Sequence, residues 1–287
     1  MDVAVVGAGR VGTAMAVLLG RAGHRIVGLA GRSATIQRAA TFLPGLPVTD
    51  PVRAAEGADV VLIATPDDAI ASIATSLAGA GVLSRGRAVV HVSGATSLDA
   101  LAAGRTAGAT VLSVHPLQTF PTVEAALERM PGVPIAVTAT DEEGATLGER
   151  LAVDVGGRPF RLADEAKPLY HAAAVFASNY LVAVTALGQA VGRAAGLEDP
   201  VALMAALQRT TLENVISLGP ATALTGPAVR GDAGTIAGHL EALSGSVPSA
   251  VDAYVALART AIDLGERSGR LPPGRRRAVE RVLERWR

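Results

Sequence analysis

Two places in the chain carry residues whose types and spacing suit chemistry. The first is Gly7-Ala8-Gly9-Arg10-Val11-Gly12, which follows an apolar β-branched run, Val3 to Val6, and opens an apolar stretch from Thr13 to Arg21. A GxGxxG turn between a strand and a helix, with a second strand from Arg25, is what binding a dinucleotide pyrophosphate requires. Gly7 permits the tight turn, Gly9 lets the backbone approach phosphate, and Gly12 lets the helix pack closely on the strand. Arg10 and Val11 complete the turn, and the free N–H groups of the helix start face the anion. The end of the second strand reads Ala30-Gly31-Arg32-Ser33, with no carboxylate to hold a ribose 2′-hydroxyl. Arg32 and Ser33 instead suit a 2′-phosphate, so NADP(H) is the expected cofactor. Ser33 as a simple helix cap is the structural alternative.

The second place is Lys167, the one lysine beside 25 arginines. Arginine cannot release a proton inside a protein whereas a desolvated lysine can, so Lys167 is the candidate proton donor or electrostatic stabiliser. His171 follows at i+4 on the same helical face. Ser178 and Asn179 extend a polar stripe along a helix otherwise apolar, suited to contacting substrate. Arg230, in the loop Leu224 to Asp232, suits a carboxylate or phosphate, with a surface salt bridge as its alternative. Asp232 is placed to cap the next helix.

The other candidates sit at strand ends, where ligands of open α/β sheets lie. They are Thr65-Pro66, Ser93 and His115. Thr65, Pro66 and Ser93 are expected to line the cofactor, with ordinary turn roles as the alternative; His115 is expected to present a positioned imidazole, with a structural one as the alternative, and His115 and His171 to orient Lys167 or take its place as proton donor. His91, inside its strand, and His239 read as core or interface residues. The five histidines lack metal-ligand spacing, and no metal site is expected.

These residues need elements to hold them. Up to about residue 163, β-branched runs at 3–6, 25–29, 60–64, 88–92, 110–114, 135–138 and 158–162 alternate with alanine-rich helical stretches, the pattern of a parallel α/β sheet. Beyond it, helical spacing runs through 165–195, 199–218, 232–244, 247–268 and 273–287. The expected fold is therefore α/β: a Rossmann-type parallel sheet domain, residues 1–163, followed by an all-helical domain, residues 164–287. Pro168 to Gly192 carries no charge and is long enough to span a bilayer. Its alanines and interspersed polar groups point instead to a helix buried within protein.

Composition narrows the function further. The 26 basic and 26 acidic residues cancel, so nucleic acid is not an expected partner. Zero cysteines exclude disulfides and thiolate catalysis. Charged residues are only 18% and apolar ones 49%, so extensive surface should be hidden between domains or subunits, and a homodimer is expected. An apolar strand at the start, with no signal-peptide pattern, gives a cytoplasmic expectation.

A Rossmann order followed by a helix opening on Lys167 resembles the superfamily of ketopantoate reductases and β-hydroxyacid dehydrogenases, whose lysine is followed four residues later by asparagine; here His171 holds that place. His115-Pro116-Leu117-Gln118-Thr119-Phe120, the run from Tyr170 through Ser178-Asn179-Tyr180, and Leu224 to Asp232 more closely resemble a bacterial family that joins a Rossmann-like domain to a helical domain of unknown function. That resemblance implies an NADP oxidoreductase, with ketopantoate as the implied substrate. The expected activity is NADPH-dependent reduction of a small 2-oxo acid. A cyclic-imine reductase and a non-catalytic NADP sensor are the alternatives.

Overall fold

The structure, a computed structural model, describes residues 1–286. It forms two compact units, Met1–Ser178 and a second from Asn179 onward. The first contains strands β1 (Asp2–Val6), β2 (Arg25–Ala30), β3 (Val48–Thr49), β4 (Val60–Ile63), β5 (Ala88–His91), β6 (Thr110–Pro116), β7 (Pro134–Ala139) and β8 (Arg158–Arg161). Its helices are α1 (Arg10–Arg21), α2 (Ser33–Phe42), α3 (Pro51–Ala55), α4 (Asp67–Gly79), α5 (Ala102–Thr106), α6 (Val123–Arg129), α7 (Glu142–Asp154) and α8 (Lys167–Ala177).

The strands make one sheet in the order β3-β2-β1-β4-β5-β6-β7-β8. The first six positions follow the doubly wound order, whose reversal between β1 and β4 opens a crevice at the strands' carboxyl ends. Alternation along β1 shows how the sheet is buried. Val3 and Val5 join the core on one face with Met15, Leu19 and Leu151, while Ala4 and Val6 join the other with Ile70, Ala74 and Leu77. The sheet is not wholly parallel as expected. β7 runs antiparallel to β6, pairing His115 with Ala136, before β8 pairs parallel with β7. The connection between β6 and β7, residues 117–133, contains α6 and returns the chain to the neighbouring position with its direction reversed. The two-residue β3 shows no run in the sequence because its register with Leu29 and Ala30 is set by β2.

The strands stop near residue 162, yet the first compact unit continues to Ser178. α8 stays with the sheet because the Lys167 side chain is buried in it, 1% exposed. The uncharged helix is also interrupted. Ser178 leaves helical geometry at φ −124°, ψ −72°, and a new helix, α9 (Asn179–Ala194), begins beyond it. Burial of this stretch was expected and is not found: the apolar run within Asp164–Ala194 is long enough to cross a membrane, and none of it is buried. Leu169, Leu181, Val182 and Val184 are exposed along it, while Leu187 and Val191 are partly buried.

The second unit adds α10 (Pro200–Leu218), α11 (Pro220–Ala223), α12 (Pro227–Arg230), α13 (Ala233–Ser246), α14 (Val251–Arg267) and α15 (Arg275–Glu284). Asp232 caps α13 by accepting from the Thr235 N–H at 3.1 Å and its hydroxyl at 2.7 Å. Ile236, Leu240, Val255, Ile262, Val279 and Leu283 from α13, α14 and α15 form its core.

Candidate functional site

The glycine turn is built as its spacing demands. Gly7 adopts φ +93°, and a Cβ there would meet Thr65 Cγ2 at 2.6 Å and the Ala64 backbone at 2.7 Å. A Cβ on Gly12 would lie 2.5 Å from the Gly7 carbonyl oxygen and 3.1 Å from Val5. Gly9 differs: its missing Cβ faces open space, with nothing nearer than the Gly7 oxygen at 3.8 Å. That opening is where a pyrophosphate would approach the backbone. Gly9 precedes α1, and no side chain caps the helix start there. The loop is fixed from behind, since the Ala8 carbonyl accepts from Thr13 Oγ1 at 3.1 Å, Thr35 Oγ1 at 3.2 Å and Arg38 at 2.9 Å.

Together these residues wall a cleft of about 500 Å³, completed by Arg32, Thr65, Pro66, Asp50 and Ile73. Thr65 Oγ1 is buried here and has no hydrogen-bond partner in the protein. A buried hydroxyl left unpaired is costly, and a ligand in the cleft would satisfy it. The residues present thus fit a dinucleotide: uncapped helix N–H groups, an open backbone face and an orphaned hydroxyl. Two cofactor expectations change. Ser33 is not a cap but the first residue of α2, exposed and outside the cleft wall. Ser93 is engaged in its own turn, its Oγ bonding to Thr96 Oγ1 at 2.9 Å and accepting from Ala95 and Thr96 N–H. In their place Arg38 lines the cleft beside Arg32. Its position one helical turn after Ala34 was legible as a face of α2, but its reach to Ala8 was not.

Beyond β5 and β6 lies a second cluster. Lys167 Nζ donates to the Ser93 carbonyl at 3.0 Å and to Ser113 Oγ at 2.8 Å. Burial pushes its pKa down to about 8, opposed by the charges of Asp164 and Asp67. Asp164 in turn accepts the Leu98 N–H at 3.0 Å. Lys167 thus ties α8 to the turn after β5 and to the middle of β6, and its ammonium points into the sheet. His91 is wholly buried, with Nδ1 accepting the Ser93 N–H at 3.1 Å and Nε2 unpartnered. Burial first, and Lys167 second, lower its pKa to about 3. It is a core histidine, though only half satisfied.

His115 is half-buried, and its Nδ1 lies 2.8 Å from the Tyr170 hydroxyl. Its ring packs on Gly94, where a Cβ would come within 2.7 Å. Desolvation, then the Lys167 charge, lowers its pKa to about 4, while burial raises Tyr170 to about 12. At neutral pH the imidazole is therefore uncharged and Tyr170 keeps its proton; in the tautomer protonated on Nε2, the Tyr170 O–H donates to Nδ1. His171 stands edge-on to His115 with ring centres 6.2 Å apart, and Phe160 packs against Tyr170 at 6.0 Å. Tyr170 was not singled out from sequence as a site residue; only the pairing of β6 with α8 brings it to His115.

Asn179 opens α9 and Arg230 ends α12, both exposed and both in the second unit. The break at Ser178 removes the single polar stripe expected along one helix. His239 is exposed, not core, with Nδ1 2.7 Å from the Tyr254 hydroxyl.

Comparison with known proteins agrees with this architecture. A Bacteroides fragilis protein described as an NADP oxidoreductase is 24% identical, with TM-score 0.76 over 91% of this chain and 98% of that one. A Thermotoga maritima protein is 23% identical, with TM-score 0.68 over 93% and 99%. The imine reductase of Myxococcus stipitatus, solved with NADP+, is 18% identical, with TM-score 0.67 over 100% and 99%. At these identities the likeness establishes the fold. A glycerol-3-phosphate dehydrogenase [NAD(P)+] of Stenotrophomonas maltophilia is 40% identical over 99 residues, 28% of this chain, which spans only 29% of that relative's length. Residues 1–116 match the Rossmann-like domain and residues 133–261 match a domain of unknown function, DUF2520. The chain thus combines a Rossmann-like domain with the C-terminal domain DUF2520.

Proposed function

We propose that this chain is an NADPH-dependent reductase of a small molecule with a polarised C=O or C=N bond. The observation that carries the reading is the pairing, in one sheet unit, of a dinucleotide cleft holding an orphaned Thr65 hydroxyl with a Tyr170–His115 couple at the carboxyl end of β6. When bound, NADPH supplies the hydride. Gly7, Gly9 and the start of α1 hold its pyrophosphate; Arg32 and Arg38 offer guanidinium groups to a 2′-phosphate.

The protein's share of the chemistry is the proton. A neutral His115 with Nδ1 occupied by the Tyr170 hydroxyl carries its own proton on Nε2. As that proton passes to a forming alkoxide, Nδ1 takes the Tyr170 proton, and the tyrosinate is reprotonated from solvent. An alkoxide is more basic than a phenolate of pKa about 12, so the transfer runs downhill. Lys167 acts in this reading as a positioning residue: it fixes the Ser93–Gly94 turn on which the His115 ring rests, and its charge adds to the burial that keeps that ring neutral.

Ketopantoate heads the 2-oxo acids to be tried because of the sequence resemblance. Imine reduction is a second reading, favoured by the end-to-end likeness to an imine reductase; a protonated imine accepts hydride without a general acid. NADPH absorbance followed against a panel of 2-oxo acids and cyclic imines tests both. Tyr170→Phe should lower 2-oxo acid turnover about 10²–10⁴-fold and spare imine turnover. Tight NADPH binding with no oxidation by any substrate would replace the reductase reading with that of a sensor.

A further inference from the structure

The dinucleotide cleft holds one group that neither the phosphates nor the proposed reaction uses. Among the described residues that line it, Asp50 carries the one carboxylate. A negative charge in a cleft built for a pyrophosphate and a 2′-phosphate opposes binding by like-charge repulsion, unless the ligand brings it a hydrogen-bond donor.

Asp50 has a local duty that explains half of it. It precedes α3, and its Oδ1 accepts the Val52 N–H at 3.0 Å and the Arg53 N–H at 3.1 Å. Serine or asparagine would cap that helix as well, so capping alone requires no charge. The two bonds also hold the side chain in one orientation. Oδ2 is left without a hydrogen-bond or ion-pair partner among the described residues, although Arg32 and Arg38 line the same cleft. Arg38 is instead engaged with the Ala8 carbonyl at 2.9 Å.

The sheet places this free oxygen at the adenosine end of the cleft. The strands exit side by side in the order β3-β2-β1-β4, and Thr49 is in register with Ala30. Asp50 therefore follows β3 as Gly31 and Arg32 follow β2. The pyrophosphate turn follows β1 and the guanidinium for a 2′-phosphate follows β2; Asp50 stands one strand further out, a step of about 4.8 Å. The apolar wall of the cleft is Ala69 and Ile73, one turn apart on α4, with Pro51 and Pro66. Apolar faces with a single fixed acceptor suit a flat, uncharged ring carrying a donor on its edge.

On the adenosine half of NADP the phosphates only accept, and the 2′-hydroxyl is esterified. The donors that remain are the ribose 3′-hydroxyl, beside the 2′-phosphate, and the exocyclic amine of adenine. The amine lies farther from the phosphate charge, where a carboxylate is repelled least. We propose that Asp50 selects the cofactor by its base, Oδ2 accepting a hydrogen bond from the exocyclic amine of adenine while the apolar wall covers the ring. This rests on the dinucleotide reading of the cleft, and not on which bond is reduced.

Binding, read by fluorescence titration without turnover, tests it. The probes are NADPH and its 6-oxo analogue, reduced nicotinamide hypoxanthine dinucleotide phosphate, in which a carbonyl acceptor replaces the amine. The wild-type chain should bind NADPH about 10- to 100-fold more tightly than the analogue, the effect of one hydrogen bond to a charged group. Asp50→Asn keeps the cap and can turn its amide N–H toward the 6-oxo group, so the preference should vanish or reverse. Asp50→Ser keeps the cap but is too short to reach the base, and should bind the two dinucleotides within about threefold of each other. Equal wild-type affinities overturn the proposal, as does a wild-type preference that persists in both variants. A chain that binds neither dinucleotide overturns it together with the dinucleotide reading, whereas equal binding of both leaves that reading standing.

Discussion

Replacing Lys167 with methionine distinguishes a lysine that gives up a proton from one that positions other groups. Two effects on stability oppose each other. Burial holds the Lys167 pKa at about 8 instead of 10.5, so keeping it charged at neutral pH costs on the order of 3 kcal/mol. Methionine removes that cost but strips the donor from the Ser93 carbonyl and from Ser113 Oγ, and an unpaired buried acceptor costs about 1–3 kcal/mol. The net change in unfolding free energy should therefore stay within about 2 kcal/mol. Function should not be spared. Without the tie, the Gly94 backbone no longer fixes the His115 ring, and kcat should fall at least 100-fold while the NADPH dissociation constant changes a few-fold. His115 itself supplies a readout that needs no substrate. Groups facing it are Tyr170 and His171 from α8, Lys167 at the same helix's start, Asp67 from α4 and His91 from β5. The lysine is the second-largest cause of its depression to about 4, so the NMR titration midpoint of His115 should rise by about one pH unit in K167M. An unchanged His115 midpoint, or full activity in K167M, refutes the positioning role. Loss of an alkaline limb near pH 8 in kcat, with the His115 midpoint unmoved, would instead make Lys167 the proton donor.

Other outcomes follow from the same geometry. Wild-type stability should increase as pH rises from about 8 to 10.5: the folded lysine releases its proton first, the unfolded chain binds more protons across that window, and K167M should lack the slope. On the acid side, His91 titrates at about 3 and His115 at about 4 when folded against 6.5, so their contributions are present above pH 6.5 and lost as pH falls through 4 and 3; chemical denaturation should show on the order of 5 kcal/mol lost through His91 and about 3 kcal/mol through His115, and His91→Asn should remove the larger share. Arg32→Ala combined with Arg38→Ala should weaken NADPH binding by at least tenfold and leave NADH binding nearly unchanged, as read by fluorescence titration. Gly7→Ala, forced into φ +93° against the Ala64 backbone, should abolish dinucleotide binding and destabilise the sheet unit by about 2 kcal/mol or more in urea denaturation.

The sequence by itself determined the local matters. Continuous β-branched apolar runs marked seven strands because the central ones are buried on both faces, β8 alone being mostly exposed, and the glycine spacing located the cofactor turn because a positive φ at Gly7 and the close packing at Gly12 are backbone requirements that only glycine meets. It marked Lys167 through composition alone. Tertiary structure decided what those residues touch. The Lys167 ammonium lies against Ser93 and Ser113, separated from it by 74 and 54 positions, and Tyr170 meets His115 across 55; no spacing rule reaches that far. The antiparallel turn of β7, the break at Ser178 and the exposure of the uncharged stretch were equally invisible, for one physical reason. Periodicity reports that a face is apolar, whereas what covers the face depends on where the rest of the chain is placed.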